Sequence, residues 1–235
     1  MQIIGLIGGI TSQSTILYYQ ILNDLAAKHK GEPHAAKCII FSVDFGEIQQ
    51  LQHDGRWDLL NDIMSEAGKN LEKAGATSIL ICANTMHLTI EAVRKSVSIP
   101  VIHIAEATAE KIVAKELKKI VLLGTKYTME MDFYKDVLTS FGIETLIPNA
   151  EERAEVNRVI YEELSKGTLK ESSREAYITI IERLQNEGAE GVILGCTEIP
   201  LLIQQKDVSI PVFDTTTIHA TKAMELAISE LCDDF

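Results

Sequence analysis

The strongest constraint in this sequence is an internal repeat, because the same motifs occur twice in the same order. Apolar runs that lead into a glycine occur at 4–9 and 120–125, a second related pair occupies 78–85 and 192–198, and Val-Ser-Ile-Pro-Val is identical at 97–101 and 208–212. This order predicts two duplicated halves with the same topology. In the repeat alignment, Ala83 and Cys196 are partner positions.

Short apolar runs alternate with stretches of helical periodicity along the whole chain. Strands are predicted at 2–8, 37–43, 77–82, 100–104, 118–123, 143–147, 190–195 and 211–213. Helices are predicted at 14–29, 55–74, 85–96, 105–117, 128–141, 151–165, 171–187 and 198–206, with a last one from 219 to 232. Continuously apolar runs, as at 192–194, are typical of parallel strands that are covered on both faces.

The predicted fold class is therefore α/β, with two pseudo-symmetric doubly wound parallel-sheet domains. The first lobe is expected at 1–110 and the second at 111–215, and the C-terminal helix within 216–235 is expected to return to the first lobe. Ligands of such sheets bind beyond the carboxyl ends of the strands. The polar residues of the repeated motifs all lie at those ends.

Composition and charge narrow the functional class. The 235 residues carry a formal net charge of −12 and no stripe of Lys and Arg, so a nucleic-acid partner is excluded. No apolar run approaches the length of a membrane span and no basic leader precedes the first strand, which predicts a cytoplasmic protein without a membrane partner. The four cysteines lack ligand spacing, so neither a zinc site nor a disulfide framework is indicated.

Two turns rich in hydroxyl groups follow the first strand of each repeat. The turn at 8–15 contains Thr11 and Ser12, and the turn at 124–128 contains Thr125 and Thr128. Neither turn matches a nucleotide-binding glycine motif. Each is compatible with a carboxylate site at a helix start, or simply with a tight turn capped by hydroxyl side chains.

Cys196 lies where the strand at 190–195 gives way to a helix. A thiol at a helix start is expected to have a lowered pKa, because the helix dipole and unpaired N–H groups stabilise the thiolate. Thr197 is a candidate cap, and Pro200 suits a first helical turn. The alternative is that Cys196 is a buried small apolar residue.

Other reactive side chains are better explained by packing. Cys82 precedes Ala83 by one residue, and successive strand side chains point to opposite faces, so Cys82 is predicted to be a core residue. His87 and His103 lie near strand ends and could polarise a substrate, but a capping or core role is favoured for both.

The combined motifs resemble the aspartate/glutamate racemase family, in its bacterial branch of L-aspartate/glutamate-specific and broad-specificity amino acid racemases. The resemblance covers nearly the whole chain and rests on the segments 5–15, 42–45, 84–87, 124–129, 195–199 and 213–216. It implies an isomerase that racemises a small amino acid without a cofactor, in a cleft between two domains. One thiol or hydroxyl group would serve each face of the α-carbon.

Residue by residue, the resemblance implies that Cys196 is the catalytic cysteine of the second lobe. Asn84, Thr85 and Thr197 match residues that hold the substrate's amino and carboxylate groups, and Glu198 belongs to the same motif as Thr197. Lys166 is matched loosely to a substrate-contacting lysine. Gln52 stands where aspartate-specific relatives carry an arginine, which weakens the case for strict aspartate specificity.

The main departure from the family pattern is Ala83, which stands where the family has a cysteine or a threonine. Because alanine cannot transfer a proton, three explanations are open: an engineered knockout, a natural enzyme that uses water or a neighbouring group, or a different activity that needs one thiol. The candidate functions are racemisation, which Ala83 would impair, and decarboxylation of a substituted malonate, which needs one thiol. A separate, non-enzymatic alternative is amino acid binding without catalysis. The preferred side chain and a homodimeric assembly also stay open.

Overall fold

The computed structural model of the protein describes residues 1–229. The chain divides into two compact units, and within the described part unit 1 comprises residues 1–104 and 219–229 while unit 2 comprises residues 105–218. The sequence-based domain limits, 110/111 and 215/216, stay a prediction and lie within a few residues of these divisions. The end of the predicted last helix, residues 230–232, lies outside the described residues.

Unit 1 is built on a parallel sheet with the strand order β2-β1-β3-β4. Its strands are β1 (Ile4–Gly8), β2 (Cys38–Ser42), β3 (Ser78–Ile81) and β4 (Val101–Ile102). Its helical segments are α1 (Ser12–Lys30), α2 (Phe45–His53), α3 (Trp57–Lys73), a 3-10 helix (Thr85–Thr89) and α4 (Ile90–Ser96). The central strands β1 and β3 are fully buried, as expected for strands covered on both faces.

Two apolar clusters cover the two faces of this sheet. One contains Leu60, Met64 and Ile79 and includes side chains from α3 and α4. The other contains Tyr18 from α1 and Ala223 from the C-terminal helix, together with Leu80. The C-terminal helix therefore contributes to the core of unit 1.

Unit 2 repeats this topology with the strand order β6-β5-β7-β8. Its strands are β5 (Lys119–Gly124), β6 (Glu144–Leu146), β7 (Gly191–Gly195) and β8 (Val212–Asp214). The remaining helical segments are α5 (Ile104–Val113), α6 (Lys126–Glu130), α7 (Asp132–Ser140), α8 (Ala150–Glu162), a 3-10 helix (Leu164–Lys166), α9 (Glu171–Asn186), α10 (Ile199–Leu202), a 3-10 helix (Gln205–Asp207) and α11 (Thr215–Ser229).

All strand pairs in both sheets are parallel, which confirms the predicted fold class. Several predicted helices were wrong in extent. The helix at 128–141 is divided into α6 and α7, and only Ile199–Leu202 is α-helical in the predicted helix at 198–206. The helix α2 was missed, although Asp44 caps it by accepting a hydrogen bond from the Gly46 N–H at 2.8 Å.

Candidate active site

The glycine turn of unit 1 joins β1 to α1. Gly9 adopts a positive φ of 87°, and a Cβ there would lie 2.2 Å from the Val43 carbonyl oxygen, so only glycine fits. Thr11 is the N-cap of α1 and accepts a hydrogen bond from the Ser14 N–H at 3.3 Å. The capping explanation of this turn is thus confirmed for Thr11. Ser12 is exposed, and its substrate contact stays a prediction.

The segment after β3 carries Ala83, Asn84 and Thr85. Cys82 is fully buried in the cluster that contains Tyr18, whereas Ala83 is partly exposed and packs on the opposite cluster. The prediction that Cys82 is a core residue is therefore confirmed. Asn84 is buried and immediately precedes the 3-10 helix that begins at Thr85.

Gln52 extends from α2 to this same segment. Its Nε2 donates a hydrogen bond to the Met86 Sδ at 3.1 Å. Gln52 thus places a neutral amide beside a thioether. The predicted contact of Gln52 with substrate stays a prediction.

Three buried histidines lie close together in unit 1, and we call His87, His103 and His219 the histidine cluster. The rings of His87 and His103 are 4.9 Å apart, and those of His87 and His219 are 5.5 Å apart. Burial, with repulsion from Arg94 and His219, lowers the pKa of His103 to about 3. Burial likewise lowers the pKa of His219 to about 3 and that of His87 well below its usual value. The preference for a core or capping role is confirmed for His87 and His103.

Cys196 directly follows β7 in unit 2, at the position that Ala83 occupies in the repeat of unit 1. Its Sγ donates a hydrogen bond to Glu198 Oε2 at 2.9 Å, and the Thr197 hydroxyl donates to the same oxygen at 2.7 Å. One carboxylate oxygen therefore accepts two hydrogen bonds from neighbouring side chains. The residue before Cys196 is Gly195, which allows close approach to the neighbouring strand, because a Cβ there would lie 2.7 Å from the Leu123 carbonyl oxygen.

The expectation of a lowered thiol pKa was wrong. Burial, followed by the charge of Glu198 and its hydrogen bond to the thiol, raises the pKa of Cys196 well above its usual value. The helix α10 begins only at Ile199 and has four residues, so little helix dipole acts on the sulfur. Thr197 is also not the cap, because the N-cap position of α10 is Glu198 and no side chain makes a capping hydrogen bond there. Cys196 is consequently a protonated thiol at neutral pH, hydrogen-bonded to a carboxylate oxygen.

The second turn and the lysine of unit 2 differ in accessibility. Thr125 caps α6, and its hydroxyl lies 3.2 Å from that of Thr128. Thr128 is fully buried, which favours a supporting role in the turn over direct substrate contact. Lys166 is exposed and ends a 3-10 helix that packs against α10, the helix that follows Glu198.

Sequence reasoning missed Tyr161 of α8. Its side chain is partly exposed, and burial together with the charges of Cys196, Tyr127 and Glu198 raises the pKa of its phenol to about 12. Tyr161 therefore lies in the electrostatic neighbourhood of the thiol and carboxylate. The sequence carried no signal for it, because an isolated tyrosine on a helix matches no motif.

The described residues contain neither a metal-binding cluster nor a membrane-spanning helix. Within residues 1–229, no group of three His, Cys, Asp or Glu side chains is arranged to hold a metal ion. In the same part of the chain, no helix is both long and apolar enough to cross a membrane.

Two units with matching parallel sheets, each with a polar segment after its third strand, define a duplicated α/β protein. The family model described as Asp/Glu/Hydantoin racemase matches residues 7–223, and the chain belongs to this family. The predicted family is thereby confirmed.

Individual relatives agree with this assignment. The broad specificity amino-acid racemase RacX of Bacillus subtilis is 27% identical over 225 residues, which cover 92% of this chain and 94% of that protein. A Yersinia pestis protein described as a candidate Asp/Glu racemase has a crystal structure with 47% identity and a TM-score of 0.93, covering 97% of this chain and all of that one. An aspartate racemase homologue from Pyrococcus horikoshii is 42% identical, with a TM-score of 0.87 over 97% of this chain and 99% of that one.

Proposed function

We propose that this chain is a cofactor-independent enzyme that moves the α-proton of an amino acid, with Cys196 as the acid and base on one face of the α-carbon. Family membership supports amino acid racemisation as the general function. The observation that carries the detailed proposal is the contact between the Cys196 thiol and the Glu198 carboxylate at 2.9 Å. The proposed substrates are a broad range of amino acids that includes neutral ones, because Gln52 is a neutral amide in contact with a thioether.

The proton must take two steps on this face. The Cys196 thiol first transfers its proton to Glu198, which leaves a thiolate and a neutral carboxylic acid. The thiolate then removes the α-proton of the substrate, and the electron pair of the broken C–H bond remains on the substrate carbanion. Thr197, Asn84 and Thr85 are proposed to hold the substrate's amino and carboxylate groups, so that their hydrogen bonds stabilise the negative charge that develops. Lys166 and the turn at Thr11 and Ser12 are proposed to help bind the substrate.

Position 83 is the partner of Cys196 in the repeat, and we propose that its side chain would serve the other face of the α-carbon. Alanine can neither accept nor donate a proton there. The carbanion is therefore reprotonated by Cys196 on the face from which the proton left. The expected reaction is exchange of the α-proton with solvent and slow inversion.

A second candidate is decarboxylation of a substituted malonate. The raised pKa of the Cys196 thiol favours it, because a protonated thiol can donate directly to the carbanion that forms when carbon dioxide leaves. This reaction needs one proton donor and no group at position 83.

The test is incubation of the protein in D2O with each enantiomer of aspartate, glutamate and several neutral amino acids, followed by NMR of the α-proton. We expect loss of the α-proton signal for one handedness, and Cys196→Ala should abolish it while the circular dichroism spectrum is retained. A loss of only about tenfold would correspond to about 1.4 kcal/mol of transition-state stabilisation, too little for the group that transfers the proton. Carbon dioxide release from a malonate would instead support decarboxylation, and binding without either reaction would contradict both activities.

A further inference from the structure

Two consecutive backbone carbonyls, those of Cys82 and Ala83, each accept a hydrogen bond from a buried side chain. The Ser14 hydroxyl donates to the Cys82 oxygen at 2.6 Å, and His87 Nδ1 lies 2.9 Å from the Ala83 oxygen. Ser14 and His87 are 3% and 2% exposed. Because water cannot replace buried partners, these bonds fix the backbone at position 83.

The second nitrogen of His87 determines which one carries the proton. The Ile104 N–H points at His87 Nε2 over 3.2 Å, and a backbone N–H can only donate. Nε2 is therefore the acceptor, and the proton of the neutral ring resides on Nδ1. It follows that Nδ1–H donates to the Ala83 carbonyl, and that a doubly protonated ring would lose the bond from Ile104.

The rest of the histidine cluster surrounds His87 with neutral groups. His219 donates from Nε2 to the Ile102 carbonyl at 2.8 Å, and its Nδ1 lies 2.8 Å from the Tyr18 hydroxyl. That hydroxyl is the donor, because the Nδ1 of a neutral ring protonated at Nε2 can only accept. His87 and His219 thus each have an assigned donor nitrogen and an assigned acceptor nitrogen.

The groups that face His87 also oppose a positive charge on it. The His103 ring is tilted by 37° relative to the His87 ring, the His219 ring forms a T-shaped pair with it, and Arg94 is a nearby cation. A second proton on His87 would be repelled by Arg94 and poorly solvated in this environment. The neutral tautomer is therefore the stable form of His87 at neutral pH.

We propose that His87 is a positioning residue for position 83: its Nδ1–H holds the Ala83 carbonyl, and thereby sets the direction of the side chain that would serve the second face of the substrate. This inference rests on the proposed function for its catalytic consequence. The hydrogen bond itself can be tested without any activity.

Two substitutions distinguish the hydrogen bonds made by the two nitrogens of His87. In His87→Asn, the side-chain amide reaches the place of Nδ1 and keeps a donor for the Ala83 carbonyl, but loses the acceptor for Ile104. In His87→Gln, the amide reaches the place of Nε2 and keeps an acceptor for Ile104, but loses the donor for Ala83. The pair is matched, because each variant removes one buried hydrogen bond and retains the other.

The first readout is amide hydrogen exchange in the folded variants. We expect His87→Gln to accelerate exchange in the segment 83–87 and to leave the Ile104 amide protected, and His87→Asn to show the opposite pattern. Equal acceleration of the segment 83–87 in both variants, or no acceleration in either, would overturn the proposal. This pattern of amide exchange does not depend on whether the protein is an enzyme.

The second readout is the ratio of inversion to α-proton exchange in the background Ala83→Thr, which restores a hydroxyl group. We expect His87→Gln to lower this ratio by about tenfold to a hundredfold through misplacement of the hydroxyl, and His87→Asn to leave it unchanged. A purely structural loss would lower both rates together and keep the ratio. Equal ratios in the two variants would contradict the positioning role. If the Ala83→Thr protein showed no α-proton exchange at all, the proposed function would be refuted. The amide hydrogen exchange would then decide the role of His87.

Discussion

Replacing Glu198 by glutamine should make Cys196 more reactive and the protein less active. The carboxylate oxygen lies 2.9 Å from the thiol sulfur, so a thiolate there would be repelled by a like charge. At this distance the repulsion is about 1.4 kcal/mol in water and about 6 kcal/mol at an effective dielectric constant of 20. Removal of this repulsion in Glu198→Gln should lower the thiol pKa and raise the thiolate fraction by about tenfold to 10⁴-fold, because about 1.36 kcal/mol corresponds to a factor of ten.

The assay is the rate of alkylation by iodoacetamide at a pH below the thiol pKa, followed peptide by peptide with mass spectrometry. The thiolate fraction rises with the lowered pKa while its nucleophilicity falls, so the net gain in rate is about 3-fold to 100-fold. Peptide mapping separates Cys196 from Cys38, whose pKa is raised by burial, and from the fully buried Cys82. Glu151→Gln, an exposed change on α8, is the matched control and should leave the rate unchanged.

Exchange of the substrate α-proton should move in the other direction. A glutamine at position 198 cannot accept the proton of a Cys196 thiol that is still protonated, and a thiolate of lower pKa is a weaker base toward the α-proton. We therefore expect faster alkylation and slower exchange in the same variant. Alkylation of Cys196 that is unchanged or slower in Glu198→Gln would refute the reasoning.

Two further predictions concern stability. The pKa values of His103 and His219 are about 3 in the folded protein and about 6.5 in the unfolded chain, so the unfolded state binds more protons below pH 6.5. The free energy of unfolding should therefore fall by about 2 kcal/mol per histidine between pH 7 and pH 5. Urea midpoints measure this change, and a midpoint that does not vary with pH would contradict a neutral histidine cluster. Glu163→Ala should lower the free energy of unfolding by about 1–3 kcal/mol, because it removes the acceptor of the buried Ser173 hydroxyl at 2.7 Å. The control is Glu162→Ala, an exposed neighbouring change, which should alter the free energy of unfolding by no more than about 0.5 kcal/mol in the same denaturation assay.

The sheets could be predicted because their strands are continuously apolar. The run at 190–195 became β7 (Gly191–Gly195) and that at 77–82 became β3 (Ser78–Ile81), and both strands are fully buried. The predicted strand at 100–104 shrank to Val101–Ile102, because α5 already begins at Ile104. Apolar content alone cannot separate the end of a buried strand from the start of a buried helix.

The sequence supplied candidate positions for the site, which stay predictions, but it could not supply their protonation states. The repeat pointed to Cys196, yet the sign of its pKa shift depends on the contact with Glu198 two residues later, which the spacing did not reveal. The histidine cluster was also beyond the sequence, because His87 and His219 are 132 positions apart and meet only in the fold. Long-range polar contacts of this kind leave no local pattern.

The central claim is that Cys196 transfers protons on one face of the α-carbon and that Ala83 leaves the other face without a partner. The most direct measurement follows deuterium incorporation by NMR and inversion by chiral chromatography in one D2O reaction, for the chain with Ala83 and for Ala83→Thr. The account predicts one-handed exchange with little inversion for the chain with Ala83, and inversion approaching the exchange rate once the hydroxyl is restored. Inversion as fast as exchange with Ala83 in place would contradict the account.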